Sequence, residues 1–148
     1  MDEKSSIKKD ITQVEDVCQV PDSLPFRWGT APVKRLGVLY AKILRSKIGT
    51  EPTLAWGKMG KIFKTLLVEA TEIQVASLLI VHFNYNPTKN GNEWLEKTLK
   101  ENAYPIELFQ KNINVYKSYL IFDRQVEYDD VDNLKGIVYK YISRLTNY

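Results

Sequence analysis

The chain has 148 residues, of which 44% are hydrophobic and 26% are charged, and its formal net charge is +3. These values are those of an ordinary soluble globular domain. A single cysteine, Cys18, excludes an internal disulfide framework, and the charged first residues predict no signal peptide. The longest apolar run, residues 75–83, is too short to span a bilayer. We therefore expect a cytoplasmic protein.

The first 31 residues predict a flexible N-terminal tail, because they mix charged residues and serines with two prolines. We expect the end of this tail, which carries Phe26 and Trp28, to pack onto the domain. Together with Val14 and Val17, these aromatics are the candidate protein-docking residues of a segment that folds on contact. A helical domain is predicted over residues 32–148.

The excess positive charge is concentrated in one stretch of the helical domain. From Lys34 to Lys64 the sequence has eight basic residues and one acidic residue, Glu51. Acidic residues outnumber basic ones in every other part of the chain. This stretch is therefore the part that would attract an acidic partner.

Two consecutive helices are predicted to carry this charge. Pro32 suits the first position of a helix over residues 33–48, and Gly49 and Pro52 end it. A second helix over residues 54–68 repeats the same division into an apolar and a basic side. The basic residues on the two outer faces are Lys34, Arg35, Lys42, Arg45, Lys58, Lys61 and Lys64.

The next segment predicts a helix that is buried on most sides. Thr71 is the predicted N-cap, and residues 73–83 are apolar in almost every direction around the helix axis. Residues 84–92 predict a loop, because they are rich in asparagine, proline and glycine. Asn92 then caps a short helix.

The last third predicts two more helices. Pro105 opens a helix whose apolar stripe continues to Leu120. Residues 119–128 fit either a helix end or a strand, and we favour a helix followed by a loop, because a lone strand would have no partner. Asp129 or Asp130 caps the final helix. The predicted fold is all-α, a compact bundle of five to six helices.

The two basic faces predict contact with nucleic-acid phosphates. Phosphate binding needs several lysines or arginines on one surface, because affinity comes from neutralising successive phosphates and releasing their counterions. The alternatives are a solvated outer surface and an acidic protein partner. Tyr40 and Trp56 lie on the apolar stripes, so we expect them in the core rather than stacked on bases.

No pattern predicts catalysis, a metal or a cofactor. His82 is the only histidine, and it lies within the most apolar helix, where we expect a core residue. The acidic residues between Asp123 and Asp132 lack the spacing of a calcium loop, and they favour a helix N-terminus instead. Residues 57–61, GKMGK, lack the spacing of a Walker motif.

One family resemblance adds to these observations. The residues that carry it are Trp56-Gly57-Lys58, Lys61, Leu66-Leu67, Trp94, Pro105, Phe109 and Asn112. This pattern resembles a helical module of bacteriophage replication proteins of the replisome-organiser or initiator type, which often follows a DNA-binding winged helix. The resemblance covers about residues 33–120 and implies a phage protein that acts on DNA or host replication machinery in the bacterial cytoplasm. The tail is too short to supply a winged helix, which favours an accessory role.

These observations together predict a small, non-catalytic DNA-binding or DNA-replication accessory protein of phage type. The alternative is a protein-binding adaptor that modulates a host replication or transcription enzyme through its N-terminal tail. A virion structural component is a third hypothesis. No membrane partner is expected.

Overall fold

A computed structural model describes residues 21–87 and 92–145 of the chain. Within these ranges the fold is all-α, as predicted, with seven α-helices and no strand. A short 3-10 helix, Phe26–Trp28, precedes the first α-helix. The helices are α1 (Pro32–Ile48), α2 (Trp56–Leu66), α3 (Glu72–Asn84), α4 (Glu93–Glu101), α5 (Ile106–Lys111), α6 (Ile113–Phe122) and α7 (Val131–Leu145).

Helix α3 is the centre of the bundle and packs against α1, α6 and α7. Twelve of its thirteen residues are buried, which confirms the prediction of a helix covered on most sides. Thr71 begins it with a reciprocal capping box, as its hydroxyl accepts from the Gln74 N–H and its own N–H donates to the Gln74 side chain. The start of this helix is therefore encoded locally.

Residues 21–31, here called the entry segment, pack onto the bundle, as expected for the end of the predicted tail. Leu24 is fully buried, and Trp28 is only 6% exposed. Burying these two side chains favours an ordered segment, because each removes a large apolar surface from water. The division between tail and domain at residue 31 stays a prediction. Val14 and Val17 lie outside the described residues.

Helix α7 holds the entry segment through two polar side chains. The Tyr139 hydroxyl donates a hydrogen bond to the Ser23 carbonyl, and the Lys135 ammonium contacts the Asp22 carboxylate at 2.8 Å. The hydrogen bond to Asp22 raises the pKa of Lys135. The segment is thus fastened to a helix that lies more than a hundred positions later in the chain.

The single helix predicted from Pro105 to Leu120 is interrupted at Asn112, so the helix count exceeds the predicted five to six by one. The backbone of Asn112 has φ −115° and ψ 24°, which is not helical. Its side-chain amide donates to the Leu108 carbonyl at 2.8 Å. An asparagine that binds nearby backbone in this way offers the chain an alternative to helix propagation.

The ambiguous segment after α6 is a loop, which confirms the prediction of a helix followed by a loop. Helix α6 ends at Phe122, and the Val126 N–H then donates to the Leu120 carbonyl at 2.8 Å. Before α7, the Asp130 carboxylate accepts from the Asn133 N–H at 3.2 Å. One of the acidic residues in this loop therefore caps the last helix.

Candidate nucleic-acid interface

Five of the seven predicted phosphate ligands lie on the outside of α1 and α2. Lys42 is half-buried, and its ammonium nitrogen lies 5.5 Å from the centre of the Trp28 ring. Arg35 is buried. The five exposed residues are Lys34, Arg45, Lys58, Lys61 and Lys64.

The prediction that Arg35 contacts phosphate is corrected, because its guanidinium is engaged inside the protein. Both Glu72 carboxylate oxygens accept from it at 2.8 Å, and the Gly29 carbonyl accepts at 3.0 Å. The hydrogen bond to Glu72 raises the pKa of Arg35 further above its ordinary value. The same carboxylate accepts from the Leu24 N–H at 2.9 Å. Arg35 therefore joins α1, α3 and the entry segment. If its guanidinium turned outward to a phosphate, the buried Glu72 carboxylate would lose its counter-charge.

Helices α1 and α2 pack closely through two glycines. A side chain added at Gly60 of α2 would lie 3.8 Å from Val33 of α1. At the other end, one added at Gly37 of α1 would lie 2.8 Å from the Trp56 ring. These contacts run in opposite directions along the two helices, so the pair is antiparallel. The exposed cations of these two packed helices are together called the basic surface here.

Trp56 lies at the edge of the basic surface, where the sequence predicted a core residue. Its side chain is 46% exposed, and the ammonium nitrogen of Lys34 lies 4.8 Å from the centre of its ring. The other aromatic of that prediction, Tyr40, is only 4% exposed and is confirmed as a core residue. Trp56 differs because it packs against the small residue Gly37 at the helix surface instead of entering the core.

A groove separates α2 from α5 and is lined by exposed polar groups of both helices. Its volume is about 560 Å³, and Lys58, Lys61 and Gln110 are among its lining residues. Lys58 also forms an ion pair with Glu107 of α5, and this hydrogen bond lowers the pKa of the Glu107 carboxyl group. No sequence signal indicates Gln110, because no local pattern places α5 beside α2.

The other ion pair of the basic surface is loose. Arg45 and Glu51 lie 3.5 Å apart, and both side chains are more than half exposed. Lys34, Lys61 and Lys64 form no ion pair with any carboxylate in the described part of the chain. Exposed ion pairs contribute roughly 0–1 kcal/mol, so all five cations are available to an anionic partner at little cost.

The start of α2 adds to the positive potential. Ala55 precedes the helix and supplies no side-chain hydrogen bond, and the first turn contains no acidic residue. No carboxylate of that turn offsets the positive end of the helix dipole. It lies beside Lys58, which belongs to the same first turn.

Of the candidate protein-docking residues that the structure describes, one is buried and one is exposed. Trp28 is a core residue, whereas Phe26 is 71% exposed, with the carbon of the Arg35 guanidinium 5.0 Å from its ring centre. Val14 and Val17 are not among the described residues, so the docking surface stays a prediction for them. Trp28 is removed from it, because a buried indole cannot meet a partner.

His82 is a core residue, as predicted. Its Nε2 lies 3.0 Å from the Tyr104 carbonyl, which can only accept, so Nδ1 accepts from the Tyr116 hydroxyl at 2.7 Å. Burial lowers the pKa of His82 to about 4, although the hydrogen bond to the Tyr104 backbone opposes this shift. The imidazole is therefore neutral at pH 7 and fully occupied by structural hydrogen bonds.

Two further properties bear on the kind of partner. No cluster of three or more histidine, cysteine, aspartate or glutamate residues that could hold a metal occurs in residues 21–87 and 92–145. None of the helices formed by these residues has the length and hydrophobicity needed to cross a membrane.

Comparisons with protein-family models, curated proteins and solved structures found no match for this chain. The resemblance to a module of phage replication proteins therefore stays a prediction. The function has to be argued from the basic surface itself.

Proposed function

We propose that the chain is a non-catalytic DNA-binding protein whose basic surface contacts the phosphate backbone. The observation that carries the proposal is the close antiparallel packing of α1 and α2. The packed pair exposes five cations, Lys34, Arg45, Lys58, Lys61 and Lys64. Contacts of this kind position a protein on DNA without reading its sequence.

The energetics of this surface suit phosphate binding. Each phosphate that a cation neutralises releases counterions, and the slope of log affinity against log salt is about −0.9 per contact for duplex DNA. If all five cations engage, the slope should be about −4.5. Glu51 and Glu107 are the carboxylates that compete for them within the described residues, and both are exposed.

The biological setting of the proposal comes from the sequence resemblance. A phage-type accessory role in DNA replication, in the host bacterial cytoplasm, is consistent with a basic surface that contacts phosphates. In such a role the protein would hold or coat DNA while other proteins supply catalysis and origin recognition.

The test is a salt titration of binding to fluorescein-labelled DNA, measured by fluorescence anisotropy. We expect binding in the micromolar range at low salt that weakens steeply as salt rises. The triple variant Lys58→Glu, Lys61→Glu, Lys64→Glu should abolish binding and keep the helical circular dichroism spectrum. The matched control is Lys97→Glu, Lys100→Glu, Lys140→Glu, which makes the same charge change at exposed positions on α4 and α7.

The control variant should keep most of the affinity. Equal losses in the two triple variants would reduce the effect to net charge and remove the basic surface from the proposal. Unchanged affinity in the first variant would overturn it directly.

A protein-binding adaptor is the second candidate function, and the exposed Phe26 ring favours it. Deletion of residues 1–20 is the appropriate test, because a longer deletion would remove Asp22 and Leu24 from the packed domain. Loss of a purified partner with DNA affinity retained would favour the adaptor. If both are retained, the partner does not dock on residues 1–20.

A further inference from the structure

Trp56 is the one large aromatic of the basic surface, and its environment is unusual for a tryptophan. Almost half of its surface is exposed, its ring edge lies against Gly37, and Lys34 extends over the ring. An exposed indole among cations gains little from burial. Proteins that bind single strands combine such a ring with a positively charged groove, because a base can stack on the ring.

The residue after Trp56 is Gly57, and a side chain added there would meet no atom within 4 Å outside its chain neighbours and its own helix backbone. The groove between α2 and α5 begins at Gly57 and continues past Lys58 and Lys61. Trp56 does not line this groove, so a strand that contacts both would pass from Lys58 around the start of α2 to the indole.

We propose that the chain binds single-stranded nucleic acid, with one base stacked on Trp56 and the adjacent phosphates held by Lys34 and Lys58. The inference rests on the proposed function and names its substrate class. In a duplex the bases are paired and stacked on one another, so only the phosphates would be available to this surface. The ammonium group of Lys34 leaves the ring when the base arrives and pairs with a phosphate, so one cation–π contact is exchanged for stacking and an ion pair.

The experiment compares three fluorescein-labelled probes of about 16 nucleotides, within the site sizes known for single-strand binders. They are a thymidine oligomer, an abasic oligomer with the same phosphates but no bases, and a duplex. We expect the thymidine oligomer to bind more tightly than the abasic one. Trp56→Leu should lower the affinity for the thymidine oligomer by about 5- to 100-fold. It should leave the affinity for the abasic oligomer unchanged.

Two further variants separate stacking from structural damage. Trp56→Phe keeps an aromatic face and should restore much of the lost affinity. Trp94→Leu removes another exposed tryptophan, 67% exposed on α4 with Glu93 and Glu96 in its first turn, and should change nothing. Thermal unfolding followed by circular dichroism checks that each variant is folded.

The outcomes distinguish this inference from the proposed function. Equal binding of the thymidine and abasic oligomers, or tighter binding of the duplex, would overturn the stacking role and leave phosphate binding in place. Failure of every probe to bind at low salt would overturn the proposed function itself. A uridine oligomer tests RNA in the same way, and dependence of its binding on Trp56 would equally support stacking.

Discussion

Arg35 of α1 and Glu72 of α3 form a bidentate ion pair inside the protein, with both guanidinium-to-carboxylate distances at 2.8 Å. The pair is almost fully buried, with side-chain exposures of 5% and 7%. It also binds the backbone of the entry segment at Leu24 and Gly29. A residue that the sequence assigned to a phosphate-binding face is thus the polar centre of the packing between α1, α3 and the entry segment.

The first prediction concerns the stability of this pair. Glu72→Gln leaves the Arg35 charge buried without a counter-charge, and such a change costs about 3–5 kcal/mol in the free energy of unfolding. Replacing both partners, Arg35→Met with Glu72→Leu, should cost less than Glu72→Gln alone, because no unpaired charge remains. Urea denaturation measures all three proteins.

The buried ion pair would be contradicted if the free energy of unfolding of Glu72→Gln lay within about 0.5 kcal/mol of the wild-type value. DNA affinity is the second readout, and the double variant should keep it if it folds. A loss of DNA affinity in a folded double variant would indicate that Arg35 contacts phosphate after all.

The second prediction compares two glycines in the contact between α1 and α2. Gly60→Ala adds a methyl group at ordinary contact distance from Val33, so helix propensity should stabilise the protein by about 0.5–1 kcal/mol. Gly37→Ala places its methyl group 2.8 Å from the Trp56 ring, which must move. We expect a net loss of about 1 kcal/mol despite the gain in propensity.

Thermal unfolding of the two alanine variants checks the sign of each change. Each variant is the other's control, since both replace a helical glycine by alanine. The close approach of the helices would be contradicted if both variants were more stable than the wild-type protein.

The third prediction is a dependence of stability on pH through His82. The pKa of this imidazole is about 4 in the folded protein and close to its ordinary value of 6.5 in the unfolded chain. Between these values the unfolded chain binds the proton and the folded protein does not. The contribution is therefore complete above pH 6.5, and about 3 kcal/mol is lost as the pH falls through 4.

Urea denaturation at several pH values between 7.5 and 4 measures this loss. His82→Gln has no group that titrates in this range, so its stability should depend less on pH than that of the wild-type protein. Carboxylates contribute equally to both proteins, which makes their difference the test. Parallel pH profiles would show that His82 is not a buried neutral base.

The fourth prediction concerns Glu107, which forms an ion pair with Lys58 in the free protein. Glu107→Gln frees this lysine and removes a negative charge from the groove. We expect DNA affinity at low salt to rise by up to about fivefold, in line with the small contribution of exposed ion pairs. The slope of the salt dependence should stay close to that of the wild-type protein, because Lys58 binds a phosphate in both proteins.

Glu101→Gln is the control, because Glu101 is an exposed glutamate at the end of α4 and its loss changes the net charge equally. An identical gain in the two variants would assign the effect to net charge. A gain specific to Glu107→Gln would support the contact between Lys58 and phosphate.

Much of the fold could be predicted because its signals are local. The proline and glycine that bound α1, the cap at Thr71 and the continuous apolar run of α3 are all encoded within a few neighbouring residues. The break at Asn112 could not be placed, because the apolar stripe continues through it. The helix stops where the Asn112 side chain donates a hydrogen bond to the Leu108 carbonyl, one turn earlier.

The basic surface was predicted in part for the same reason. Helical periodicity places Lys34 and Arg35 together on the outer side, but it cannot show that Arg35 meets a carboxylate 37 positions later. The exposure of Trp56 depends on Gly37, which lies on another helix. Partners that are distant in sequence therefore decided which cations and aromatics remain available to a ligand.

The central position of α3 has a consequence for protein synthesis. Of the helices that cover it, α1 leaves the ribosome earlier, whereas α6 and α7 emerge only after some 30 to 60 further residues. During that interval the most apolar helix of the protein has only part of its cover, which is the condition that exposes nascent chains to aggregation and chaperone binding. Chains that terminate before Val131 would keep that surface uncovered and should accumulate as insoluble protein.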